Sequence, residues 1–278
     1  MVIMRGFRGI FKILNRVRKP KQLIVTFLIF VLTVSIILVI PITFREIPKM
    51  TPSIPQTKTT ISVENARNNN NYNETNEWNQ TYGGTDLDDG RCVEQTSDGG
   101  YIIVGGTESY GAEHGNIWLI KTDENAKILW SKTYGGTGWE WGYCVKQTAD
   151  GGYIITGYTT SYGVGYSDVW LIKTDDNGVE EWDETYGGTG RECGYCVVQT
   201  TDGGYIITGW TSSYSDYWSD FLLIKTDEEG KTIWNKTYGG TNADEGYCVE
   251  ETIDGGYIIT GWTYSYDFGR ALWLVKNR

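Results

Sequence analysis

From Trp78 onward the chain alternates short runs of β-branched and aromatic residues with clusters of Gly, Asp and Asn. Runs such as Tyr153-Ile154-Ile155-Thr156-Gly157-Tyr158-Thr159 and Val169-Trp170-Leu171-Ile172-Lys173-Thr174 have the length and composition of strands. Asp150-Gly151-Gly152 and Asp175-Asp176-Asn177-Gly178 have those of tight turns. The pattern is periodic. Thr81-Tyr82-Gly83-Gly84-Thr85 returns at 133–137, 185–189 and 237–241, a spacing of 52 residues. A period of that size marks one supersecondary unit stacked on its neighbours.

Each copy divides into four antiparallel strands, in the second copy at 144–148, 153–159, 169–174 and 182–186. Four such copies predict an all-β fold, a four-bladed β-propeller over residues 78–278. A β-helix also repeats, but its coils are shorter and mostly parallel, whereas the turn signals here are those of hairpins. Three copies finish on a Trp strand (Trp130, Trp182, Trp234), while the fourth stops at Trp273-Leu274-Val275-Lys276-Asn277-Arg278. Residues 77–82 match the absent strand, so the amino-terminal strand is expected to close the last blade and remove two raw sheet edges.

A different pattern precedes the repeats. Residues 23–44 carry no charge and are rich in Ile, Leu, Val and Phe. At a rise of about 1.5 Å per residue they are long enough to cross a bilayer as a helix. Seven Lys and Arg residues lie between Arg5 and Lys21, which predicts a basic cytoplasmic tail over 1–22 and export of everything after the helix. A cleaved signal peptide would have a shorter apolar core and a small-x-small site; Pro41-Ile42-Thr43-Phe44 is not one. The expectation is an uncleaved, single-pass signal-anchor in the cell membrane, with the repeats extracytoplasmic. Residues 45–77, with Pro48, Pro52, Pro55 and the run Asn68-Asn69-Asn70-Asn71, have the composition of a disordered stalk.

Charge sharpens that division. The first 50 residues hold nine Lys/Arg and one acid, against a whole-chain net charge of −11, leaving about −19 for the remainder. A body so acidic would repel phosphates, which excludes nucleic acid as a partner. Cys92, Cys144, Cys196 and Cys248 occupy one position in successive copies, and Cys193 is an extra. In a rotational repeat such positions are expected to stand beyond disulfide reach and to serve as small buried apolar residues; pairing of Cys193 with a neighbour, or a metal, is the alternative. A single His, His114, argues against zinc.

Two sets of residues are candidates for chemistry. Asp88, Glu140, Glu192 and Asp244 recur in the segments that lead from one copy into the next. In a closed propeller they would ring the channel mouth and could hold a cation such as Ca²⁺ as cofactor; otherwise each would accept hydrogen bonds from its own loop. The same end is aromatic. Trp139, Trp141, Trp218, Tyr162, Tyr214 and Tyr266 are the candidate ligand-binding residues, suited to stacking on a sugar or protein surface. The three Trp residues do not recur in the other copies, so the blade itself does not require them. The blade Trp residues that do recur are assigned to packing.

The segments Lys121–Trp130, Lys173–Trp182 and Lys225–Trp234 run Lys-Thr-Asp-x-x-x-x-x-x-Trp. This resembles the tryptophan-docking motif of quinoprotein-like (PQQ-type) propeller repeats, with the Asp-to-Trp distance one residue shorter and the second turn Thr missing. The full cassette more closely resembles the Tyr-Gly-Gly-Thr/Asp-Gly-Gly-Tyr repeats of uncharacterised archaeal and bacterial surface proteins. That resemblance implies an exported propeller with no defined reaction. Integrin-type FG-GAP repeats are a more distant likeness, with only Asp86-x-Asp88-Asp89-Gly90 matching their acidic loop. No nucleophile elbow, phosphate-binding Gly loop or metal-ligand cluster is visible. The expectation is therefore a non-catalytic binding or scaffolding module for a surface protein or glycan. Its rivals are a carbohydrate-active hydrolase that works with two carboxylates of the acid set and a structural component of the envelope.

Overall fold

The computed structural model describes residues 78–278 except 113, 215–217, 267–268 and 278. They fall within one compact unit, Val63–Arg278. The basic tail, the apolar segment 23–44 and the stalk 45–77 lie outside the described residues. Among the described residues no helix is long and apolar enough to cross a membrane.

The described chain is all β. The first sheet is a meander of β1 (Asp88–Gln95), β2 (Tyr101–Thr107), β3 (Asn116–Thr122) and β4 (Ile128–Tyr134). The second comprises β5 (Glu140–Gln147), β6 (Tyr153–Thr159), β7 (Asp168–Thr174) and β8 (Glu180–Tyr186). The third comprises β9 (Glu192–Gln199), β10 (Tyr205–Thr211), β11 (Asp220–Thr226) and β12 (Thr232–Tyr238). The fourth has only β13 (Asp244–Glu251), β14 (Tyr257–Thr263) and β15 (Ala271–Asn277). Every pairing within the sheets is antiparallel. The inner strands β1, β5, β9 and β13 begin at the recurring acid, four residues before the Cys at which the sequence pattern placed their start.

The sheets do not close into a propeller. Each inner strand packs on the next, β1 on β5, β5 on β9 and β9 on β13, but β13 makes no comparable contact with β1. Residues 78–82 form no ladder with β15, so the expected closing strand is absent. Instead Trp78 meets Tyr101 of the first sheet edge-on at 5.9 Å, as Trp130 meets Tyr153 at 5.9 Å and Trp182 meets Tyr205 at 5.8 Å. The Tyr82 hydroxyl donates to the Ala126 carbonyl at 2.5 Å, as Tyr134 and Tyr186 donate to Gly178 and Gly230. The segment thus occupies the place on the first sheet that each outer strand takes on the next sheet. The result is an open series of four sheets rather than a closed four-bladed ring.

The core lies along the middle strands. β3 and β7 are buried throughout, and Leu119, Leu171, Ile172 and Leu223 are fully shielded from solvent. Each such side chain contributes about 1.5–3 kcal/mol by leaving water. These strands also bury a lysine apiece. Nζ of Lys121, Lys173 and Lys225 reaches Asp98, Asp150 and Asp202 at 2.9–3.0 Å and donates to the carbonyls of Thr122, Thr174 and Thr226. The aspartate of the Asp-Gly-Gly turn therefore neutralises a buried charge on the strand next to its hairpin, as well as shaping the hairpin.

Candidate binding surface on the bulged inner strands

All four inner strands carry a β-bulge at the same place. The register skips Arg91 between Gly90 and Cys92, and likewise Tyr143, Tyr195 and Tyr247 in the later sheets. A bulge leaves one residue unpaired and re-aims its side chain, and bulges gather at functional sites. Here the re-aimed residues line up. The rings of Tyr143 and Tyr195 meet at 5.0 Å and those of Tyr195 and Tyr247 at 5.2 Å, both edge-on. The Arg91 guanidinium lies 5.4 Å over Tyr143 and forms an ion pair with Asp89 at 2.6 Å. One residue from each inner strand thus builds a continuous file, Arg–Tyr–Tyr–Tyr.

A second row flanks the file. Position 89 and its equivalents hold Asp89, Trp141, Cys193 and Glu245, paired across the ladder with Gly106, Tyr158, Trp210 and Trp262. The Trp141 indole donates to Asp89 at 2.8 Å. Its ring lies where a Cβ on Gly106 would be, 2.2 Å from Cε2, so only glycine admits it there. Trp210 donates to the Tyr195 hydroxyl at 3.0 Å and Trp262 to that of Tyr247 at 2.8 Å. Arg270 sits 4.5 Å over Trp262. The file is therefore bounded by Arg91 and Asp89 at one end and by Glu245 and Arg270 at the other. Burial, helped by nearby acidic groups, raises Tyr143 to about 12 and Tyr195 further. Burial also pushes Glu245 up, against the nearby Tyr247 hydroxyl and the charge of Arg270. The Tyr143 and Tyr195 hydroxyls therefore stay protonated at neutral pH, as donors and acceptors beside partly open rings.

The acids singled out in the sequence are employed elsewhere. Asp88 Oδ2 accepts from the Gly84 N–H at 2.8 Å and the Ser109 hydroxyl at 2.8 Å. Glu140 and Glu192, both fully buried, accept from Gly136 and Gly188 and from the hydroxyls of Thr159 and Thr211. Asp244 accepts from Gly240 and Ser265. Each acid ties down the loop that delivers its own strand. A ring of four depended on closure, and in the open series they stand one per sheet. Among the described residues no group of three or more His, Cys, Asp or Glu side chains is placed to hold a metal ion.

The aromatic candidates divide. Trp141 joins the inner-strand surface, largely buried. Trp139 is exposed and stacks on His114 at 5.5 Å. Tyr162 and Tyr266 are about half exposed and cover Trp170 and Trp273 at 5.2 Å and 6.0 Å. Tyr214 and Trp218 are exposed on the corresponding loop of the third sheet. These loop residues are spread along the series rather than collected. Arg91, Tyr143, Tyr195, Tyr247 and Glu245 are not among the sequence candidates, because they precede or adjoin the Cys at which the inner strand was expected to begin. The usable signal was Arg91 in the first copy where every other copy has Tyr.

No protein-family model matches the chain, and no curated protein matches it. Among solved structures it is similar to a protein of unknown function from Bacteroides caccae, at 9% sequence identity and a TM-score of 0.38, over 62% of this chain and 52% of that one. The chain thus spans about half the length of that protein.

Proposed function

We propose that this chain is a membrane-anchored, extracytoplasmic binding or scaffolding module that holds a glycan or protein segment along its inner strands without transforming it. The observation that carries the reading is the bulge-presented file Arg91–Tyr143–Tyr195–Tyr247. Tyrosines offer large, stiff contact area with a polar handle, and charged side chains at both ends would fix register and orientation. The anchor and the location rest on the uncharged segment 23–44 and the basic residues before it.

The test is binding of the full-length chain, in detergent, to a glycan array and to a panel of immobilised envelope proteins. Arg91→Ala and Tyr247→Ala remove partly exposed side chains, and each is expected to weaken binding at least about tenfold, the range of an interface hot spot. Unchanged binding by both variants, or release of a cleaved product, would sink the reading.

A further inference from the structure

Four of the five cysteines form a line across the inner strands. The Cys92 thiol donates to the Val145 carbonyl at 3.8 Å, Cys144 to Val197 at 3.8 Å and Cys196 to Val249 at 4.0 Å. Each acceptor is the residue directly after the next cysteine, so each thiol lies alongside its successor. Each of these thiols therefore touches the strand segment that carries the next cysteine. The line starts at a half-buried Cys92, passes through buried Cys144 and Cys196, and ends at an exposed Cys248. Its linear layout differs from the cage a structural metal requires, and among the described residues no three thiols converge on one point.

We propose that this line is an oxidisable staple, which closes into two inter-sheet disulfides, Cys92–Cys144 and Cys196–Cys248. The pairing follows from access and proton affinity. Each pair has one member that solvent reaches, Cys92 or Cys248, whereas a Cys144–Cys196 bridge would join two buried thiols and strand the outer ones. The adjacent Cys144 side chain is the largest influence that lowers Cys92 to about 6, so Cys92 ionises more readily than Cys248. Burial raises Cys248 to about 11. The oxidant is a small-molecule or protein disulfide. The Cys92 thiolate attacks one of its sulfurs, forming a mixed disulfide and expelling one thiolate. Cys144 then loses its proton to solvent and attacks the Cys92 sulfur, expelling the second. Two cysteines are oxidised and one external disulfide is reduced, and the two cysteine protons pass through solvent to the two expelled thiolates. The second pair closes in the same way from Cys248, more slowly because little of that thiol is ionised. Each bridge would close a 52-residue loop and covalently tie neighbouring sheets.

The experiment incubates the full-length chain in detergent with oxidised glutathione, alkylates free thiols before unfolding, and maps the peptides. The expected map contains Cys92–Cys144 first and Cys196–Cys248 later, with Cys193 alkylated only after unfolding. The melting temperature should rise by about 5–10 °C and return when the bridges are reduced. Cys92→Ser should lose the first bridge and keep the second; Cys92→Ala serves as a second variant. Cys193→Ser should leave the map unchanged. Four thiols still free after oxidation, a Cys144–Cys196 bridge, chain-to-chain crosslinks, or stoichiometric copper or zinc retained by the reduced line would each overturn the proposal.

Discussion

At Gly239 two carboxylates approach the same spot. A Cβ there would lie 2.1 Å from Asp220 Oδ1 and 2.9 Å from Asp244 Oδ2. Asp220 Oδ1 and Asp244 Oδ1 are buried without a hydrogen-bond partner among the described residues. Burial first, and then the charge of Asp244, raises the pKa of Asp220. Asp168 is raised in the same way beside Glu192. The first copy has Asn116 instead, whose amide donates to the carbonyls of Tyr110, Ala112 and His114. A carboxyl whose folded pKa is raised makes the folded state bind more protons than the unfolded chain, so stability falls as pH climbs above the ordinary carboxylate range. Asp220→Asn should therefore raise the melting temperature at pH 7 by about 2–4 °C. The gain should shrink to nothing near pH 4, where both forms are neutral. Calorimetry at the two pH values checks this, and a gain independent of pH would contradict the account.

At the level of strands, most of what the sequence predicted is present, because apolar runs between Asp- and Gly-rich turns mark strands without reference to the rest of the chain. The middle strands, such as Val169-Trp170-Leu171-Ile172, were legible for that reason. The start of the inner strands was not. Glu140-Trp141-Gly142-Tyr143 contains an acid and a glycine, both disfavoured in strands, and the bulge at Tyr143 interrupts the two-residue period. The same four residues carry much of the candidate surface, so misplacing the strand start concealed it. The lock between turn and middle strand was invisible too, since Lys in a strand ordinarily signals solvent. That lock can be graded. Lys173 has Glu181 at 2.8 Å as well as Asp150, whereas among the described residues Lys225 pairs with Asp202 alone of the carboxylates. Asp202→Asn should cost about 2 kcal/mol by leaving a buried ammonium underpaired, and Asp150→Asn about half as much. Urea denaturation of the two variants measures the difference. Equal losses would show that Glu181 does not share the charge.

For the whole molecule, sequence repetition established that the copies are equivalent but not how one is displaced from the next. Copies arranged in a ring or in a row give the same text, and the inference of closure rested on residues 77–82 resembling an outer strand. Packing of Trp78 and Tyr82 on the first sheet gives those residues another place. An open series is stabilised between nearest neighbours, so losing an end unit removes one interface and leaves the others intact. A chain ended after Tyr238 should still unfold cooperatively, with a denaturant slope reduced by about a quarter. Collapse of all three remaining sheets would indicate closure instead. The outer strands β8 and β12 guard their free edges with charge, Glu180, Glu181, Asp183 and Glu184 on one and Lys236 on the other.

Because β13 need not meet β1, nothing in the geometry fixes the number of sheets at four. A ring admits only those copy numbers whose angles add to a full turn, while a row admits any. Each inserted 52-residue unit would add one bulge and one tyrosine to the file, about 5 Å further along, at the spacing seen between Tyr143, Tyr195 and Tyr247. The protein is in that sense a ruler: gene duplication alone can lengthen its footprint on a ligand in equal steps, without redesigning a core.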